Sequence, residues 1–251
     1  MANDDLIVLP NSGAFPKVEL IEPSHEGYIL LALEIDRRPG LLYWLESARK
    51  KRLLEALKRW AGTLHGRSDV NEVTVFKALV IPPGREQAFK TDVSIPTTRY
   101  DVVMLVTLTD LAAAKALAAD PAFLQEQGKA IAESHAHLSV VAENVRRIAP
   151  VDHSRKGVFL FNFFAARSRA QNLAVWDYTA GWFQDRTGLD NSTLLLPADG
   201  DTPYSVINHC RWDRLGNVVP HLIFESSFRN YVLKHFAANH TTAVPILYRL
   251  A

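Results

Sequence analysis

The chain has 251 residues, 48% of them apolar and 22% charged, which is material for two domain-sized cores and excludes a largely disordered polymer. Lys and Arg number 28 against 27 Asp and Glu, so a formal net charge of +1 provides no long-range field to draw the protein to nucleic acid or an anionic membrane. A lone cysteine, Cys210, excludes an internal disulfide and fits a cytoplasmic setting. The start, Met-Ala-Asn-Asp-Asp, is acidic where a signal peptide would be basic, and no apolar run approaches the roughly 18 residues of a bilayer span.

Residues 1–26 carry Pro10, Pro16 and Pro23 among polar clusters and read as an extended arm. Tyr28 to Asp36 is a near-continuous apolar run, the mark of a strand buried on both faces. A helix is expected from about Leu41 to Leu64, with Trp44, Leu45, Leu53, Leu57 and Trp60 along one stripe. Its Arg49-Lys50-Lys51-Arg52 run reads as a solvated face. A strand at about 71–81, a turn-rich loop from Pro82 to Thr98 and a strand from Tyr100 to Leu108 follow. Thr109-Asp110 caps an alanine-rich helix, Asp120-Pro121 caps a second piece, and a strand over about 138–148 completes a β-α-β-β-α-β order.

The same order returns from Gly157: a strand over 158–166, a helix over about 170–187, strands at 192–197 and 204–212, a helical stretch opened by Asp213 and broken at Ser226-Ser227, and a final strand over 243–250. Tyr100 and Tyr204, Asp110 and Asp213, and Phe123 and Phe228 recur at nearly constant spacing, which makes the two halves repeats of one unit. The fold class is therefore α+β, two tandem ferredoxin-like units, with an arm over 1–26, a first domain over 27–150 and a second over 157–251.

A doubled β-α-β-β-α-β unit with a two-piece second helix resembles the dimeric α/β-barrel superfamily, in which two ferredoxin-like sheets pair into a barrel. Here one polypeptide would supply both. The resemblance covers about residues 27–251 and implies an apolar ligand pocket between the helices and the concave sheet of each half. The superfamily includes monooxygenases that use neither metal nor organic cofactor, ring-rearranging isomerases and haem-binding proteins, so the fold does not select a reaction.

The second half is richer in reactive side chains. On Tyr204 to Trp212, alternation sets Tyr204, Val206, Asn208, Cys210 and Trp212 on one face and Ser205, Ile207, His209 and Arg211 on the other, whereas the matching first-half strand is almost purely apolar. Buried polar groups there need partners, and a pocket would supply them. Asn162 stands among phenylalanines on the neighbouring strand, and the following helix adds Trp176, Tyr178 and Trp182. The candidate catalytic residues are His209, Arg211 and Asn208. Asn162, Trp176, Tyr178, Trp182, Tyr204 and Trp212 are the candidate ligand-binding residues. What the resemblance implies is a cofactor-independent monooxygenase or isomerase acting on a small apolar or aromatic molecule, working as a monomer or homodimer.

Two rivals stand beside it. One is a non-catalytic ligand-binding or assembly protein. The other is a haem-binding protein with His209, His221 or His235 as axial ligand. No spacing of His, Cys or acidic residues marks a metal site, and no phosphate loop or nucleophile elbow is present. Asp199-Gly200-Asp201 reads as a turn.

Overall fold

Strand β1, Gly27–Glu34, is buried along its whole length, as a run without polar alternation requires when both faces of a sheet are covered. Helices cover one face, and the other face closes on itself. The computed structural model describes residues 6–10, 13–38, 42–82, 93, 95–96, 99–200 and 202–251. Most of the turn-rich 82–98 loop lies outside the described residues.

The first half comprises β1, α1 (Ala48–Leu64), β2 (Val70–Val80), β3 (Val102–Leu108), α2 (Leu111–Ala118), α3 (Pro121–Ala132) and β4 (Ala136–Ala149). The second comprises β5 (Val158–Ala166), α4 (Arg169–Thr187), β6 (Ser192–Pro197), β7 (Val206–Trp212), α5 (Val219–Phe224), a π-wound turn (Phe228–Leu233), α6 (Lys234–Ala238) and β8 (Thr241–Leu250). The strand order is β4-β1-β3-β2 in one half and β8-β5-β7-β6 in the other. Antiparallel pairs β2–β8 and β4–β6 join the halves into a closed eight-stranded barrel with no free edge.

Local chemistry sets several boundaries. Asp110 and Asp120 accept hydrogen bonds from the first free amides of α2 and α3, as expected from their sequence positions. The helix expected from residue 41 begins only at Ala48. Ser47 accepts from the Lys50 amide, and its own N–H donates to Asp36 Oδ2 at 2.9 Å, so the cap forms there and Trp44 is left 52% exposed. The basic run is not wholly a solvated face either. Lys50 is fully buried, with Nζ 3.0 Å from Asp101 Oδ2, while Lys51 and Arg52 are exposed. After β7 the helical stretch opens not at Asp213 but with a short turn at Leu215–Asn217, and it resumes past Ser226-Ser227 as the π-wound turn.

The arm crosses the second half. The Ile7 amide donates to Asn239 Oδ1, Phe15 packs on Tyr231, and Ile21 bridges to Arg147 on β4. A Cβ at Gly181 of α4 would collide with the Pro16 carbonyl, so this helix–arm contact requires glycine.

Inside the barrel, β1, β3, β5, β7 and β8 contribute Leu30, Leu105, Phe161, Ile207 and Ile246 to one apolar cluster. At one end Tyr100, Phe163 and Tyr204 fill the bore. The hydroxyls of the repeat partners Tyr100 and Tyr204 lie 3.4 Å apart.

Candidate functional site

The polar residues of the second half are divided by the alternation of its strands. On β5, Phe159, Phe161 and Phe163 join the barrel interior, while Leu160, Asn162 and Phe164 face the helices. On β7, Asn208, Cys210 and Trp212 face the helices, and Ile207 and His209 face the bore. The split expected for β7 holds from Val206 onward. Tyr204 differs from its expected face: it precedes the strand, turns into the bore and packs on Phe163. The strand's own pairing begins two residues later, so its parity does not extend back to Tyr204.

On the helix side are two small neighbouring cavities of about 50 and 30 Å³, sharing Leu160, Asn162, Phe183, Trp212 and Phe236 as walls. The smaller also takes in Trp176, Ser192, Asn208 and Cys210. The larger is closed by Phe228 and Leu233 of the π-wound turn and by Val218 and Leu222 around α5. Asn208 Oδ1 accepts from the Ser192 hydroxyl at 2.6 Å, and Trp212 donates to Thr187 Oγ1 at 2.9 Å. Asn162 Oδ1 is buried with no hydrogen-bond partner. Burial alone pushes the Cys210 thiol well up, so it is an inert, protonated wall.

Besides Tyr204, two of the expected aromatic residues lie elsewhere. Trp182 is buried between Phe183 and Phe228, with its indole N–H donating to Ser227 Oγ at 2.9 Å. Tyr178 stacks on Tyr231 and meets His235 at a tilt beneath the arm. Phe183, which the sequence reading passed over, takes the wall position.

On the bore side is a larger cavity of about 420 Å³, at the end opposite the tyrosine plug. His209 lines it, together with His153, Glu72, Arg147 and Tyr28. His153 lies on the linker between the halves, with Nδ1 2.8 Å from Glu72 Oε2 and Nε2 2.8 Å from His209 Nε2. His209 Nδ1 faces the Leu160 carbonyl at 2.9 Å and must donate to it. Burial, and then the charge of His153, hold His209 well below the usual histidine range, so it is neutral and its Nε2 accepts. His153 Nε2 accordingly donates to His209, while its Nδ1 faces the Glu72 carboxylate. Burial would raise the Glu72 carboxyl, but the hydrogen bond and charge of His153 outweigh it and hold the group below its ordinary range. Arg211 seals the same region from outside the cavity, donating to the Lys156 carbonyl at 2.6 Å and to Asp213 at 2.9 Å.

The histidines considered as haem ligands do not meet a haem-sized space. None lines the helix-side cavities. Both His209 nitrogens are engaged in the bore, His235 Nδ1 faces the Tyr231 carbonyl and its Nε2 accepts from the Leu9 amide, and His221 Nδ1 lies 2.5 Å from Glu225. The described residues therefore do not fit an axially ligated haem on the helix side of the second half.

No family model matches the chain, and no curated protein matches it. Solved structures do match. An anthrone oxidase-like protein aligns over 93% of this chain and 94% of its own, at 10% identity and a TM-score of 0.64. A Fusobacterium nucleatum protein, provisionally assigned as a monooxygenase, aligns over 90% and 92% at 8% identity and a TM-score of 0.53. The chain has the fold of the dimeric α/β-barrels, with both ferredoxin-like units in one polypeptide. A chlorite dismutase variant from Candidatus Nitrospira defluvii follows the same path over 92% and 93%, at 12% identity and a TM-score of 0.50. At these identities the likeness is one of backbone path, and the chemistry of this barrel has to be argued from its own side chains.

Those side chains form two groups. Asn162, Asn208, Trp176 and Trp212 meet between sheet and helices, whereas His209 lies across the sheet from them with His153, Glu72 and Arg147. No ligand of the helix-side cavities can touch His209. Glu72 and Arg147 escape a sequence reading because bulges in β2 and β4 shift the inward parity at Val70/Glu72 and around Asn144–Ala149, and His153 because it lies on the linker. The one available signal was His153 itself, a histidine at the junction of two repeats.

Proposed function

We propose that the second half binds a compact, mostly apolar molecule bearing a hydroxyl that donates a hydrogen bond, a phenol or an enol, between its sheet and its helices. The observation that carries this reading is the Asn162 carbonyl oxygen, buried without a partner in a cavity otherwise walled by Leu160, Phe183, Trp212 and Phe236. A buried acceptor left unpaired costs about 1–3 kcal/mol, and a ligand hydroxyl would remove that cost. The space suits a single ring rather than a large substrate, because each water-sized group needs about 10–15 Å³ of such volume.

The lining favours binding over turnover. Among the described residues, the two cavities hold no carboxylate, histidine, lysine or arginine, and the thiol of Cys210 is inert. An oxygenase or isomerase acting on a phenol needs a group to take its proton, and an amide oxygen does not serve. A non-catalytic ligand-binding role is therefore the preferred reading for this pocket.

The test is titration calorimetry with phenol and with toluene, which differ by hydroxyl against methyl. Phenol is expected to bind the wild-type chain more tightly than toluene, and Asn162→Leu to reverse the order. Equal binding of both by the wild type, or an order unchanged in the variant, would reject the assignment.

A further inference from the structure

The bore-side cavity has the features of a binding site in its own right. Its volume of about 420 Å³ lies within the range of roughly 300–1,000 Å³ typical of small-molecule pockets. Its rim residues Ser24 and Glu26 are partly exposed and Pro150 is exposed, so it is reachable from solvent. Its walls combine apolar surface, from Leu105, Val151 and Leu195, with acidic and basic groups that are not all paired with one another.

Four charged groups line the cavity: Glu26, Glu72, Arg147 and His153. Glu72 is neutralised by His153, which it meets at 2.8 Å. Glu26 sits at the half-exposed rim, where it accepts from the Tyr28 hydroxyl at 2.8 Å and from Asn71 at 3.3 Å. Arg147 is different. Its Nε is buried with no hydrogen-bond partner, and among the described residues no carboxylate lies within ion-pair distance of it. Arg147 as a whole is partly exposed, but its buried Nε lacks an acceptor that an occupant of the cavity would supply, and its forked donors match a carboxylate.

Neighbouring groups leave few competitors for that role. The Tyr28 hydroxyl is already shared with Ser24 and Glu26, and burial together with Glu26 keeps its phenol protonated. All the imidazole nitrogens that meet one another or Glu72 are committed, so the histidine pair offers an occupant no free nitrogen. The strand equivalences support a site peculiar to this cavity. Pairing β3 with β7 through the 104-residue repeat of Tyr100 and Tyr204 sets Leu105 opposite His209 in the pseudo-symmetry, and both line the space. One half thus provides an apolar wall and the other a polar one.

We infer that this cavity binds a small organic acid as its carboxylate, with the acid group on Arg147 and the apolar body against Leu105, Val151 and Leu195. One unpaired guanidinium matches one anionic group, and the apolar walls call for an organic body rather than inorganic phosphate. The site is independent of the pocket at Asn162, from which the sheet separates it.

The experiment uses the full chain, benzoate, and its neutral isostere benzamide, read by titration calorimetry. Benzoate is expected to bind at one site per chain and benzamide at least about tenfold more weakly, the margin of a charge-assisted pair. Arg147→Met should bring benzoate down to the level of benzamide, while phenol binding at Asn162 persists and shows that the barrel is intact. Arg147→Lys keeps the charge and should retain a preference for benzoate. Asn162→Leu should leave benzoate binding unchanged. Failure of benzoate to bind, equal affinity for benzamide, or benzoate affinity unaltered in Arg147→Met with phenol binding intact would each overturn the inference. Should Arg147→Met lose phenol binding as well, the Arg147→Lys preference decides, and its absence overturns the inference.

Discussion

Asn162 and Asn208 are direct cross-strand partners on β5 and β7, yet only Asn208 has its carbonyl oxygen hydrogen-bonded within the protein, to Ser192. The corresponding pair in the first half, on β1 and β3, is Leu31 and Met104, both 1% exposed in a packed apolar core. The same barrel position is thus built without polar groups in one half and with an unsatisfied one in the other. The fold does not require the amide at Asn162, and the cost of keeping it points to a ligand.

Replacing Asn162 by leucine should therefore stabilise the ligand-free protein, by about 1 kcal/mol, because it removes an unpaired buried acceptor and leaves an isosteric apolar side chain. Urea denaturation of the two proteins measures this. A loss of stability larger than 1 kcal/mol would show the amide to be part of the structure.

His209 provides a pH signature. Its folded value lies well below the ordinary histidine value of 6.5, with burial the larger cause and His153 the second. Below 6.5 the unfolded chain takes up a proton that the folded chain refuses, so stability is full above 6.5 and falls on acidification toward the folded value. The slope approaches about 1.4 kcal/mol per pH unit. Glu72, also held low, adds its own loss only at more acidic pH, below the ordinary glutamate value of 4.5. Between about pH 5 and 6.5, His209→Phe, which can stack on Phe161 as His209 does at 4.1 Å, should show a shallower decline than the wild type. Identical slopes would mean that His209 is protonated in the folded barrel.

Lys50 and Asp101 bind α1 to the start of β3. Asp101 also accepts from the Ile35 amide at 2.6 Å and the Asp36 amide at 3.2 Å, and burial raises its carboxyl despite these partners and Lys50. Lys50→Met should cost about 3–5 kcal/mol, the usual penalty for stranding a buried charge, whereas the double change with Asp101→Asn should recover part of it. Thermal unfolding of the three proteins measures the coupling, and strictly additive losses would refute the pairing.

The order of elements, the repeat and the fold were legible because they depend on apolar periodicity and on caps such as Asp110 and Asp120, which act within a few residues. The meeting of Asn162, Asn208, Trp176 and Trp212 followed in part from strand parity. Parity also placed His209 and Arg211 on the opposite face, although reading them as one site with Asn208 overlooked that the sheet would stand between them. What could not be read were contacts between segments distant in sequence: Lys50 of α1 on Asp101, or His153 between Glu72 and His209. The second depends on a bulge in β2 and on a linker whose course no local pattern specifies. Tyr178 and Trp182 look like pocket residues in the sequence, and they serve instead to hold the arm and the π-wound turn.

The most direct test of the pocket at Asn162 is a crystal structure of the protein soaked in phenol. The account predicts a ring between Leu160, Phe183 and Phe236, with its hydroxyl oxygen about 2.7–3.0 Å from Asn162 Oδ1. An ordered water on Asn162 with no ring beside it, or phenol bound only elsewhere, would contradict it.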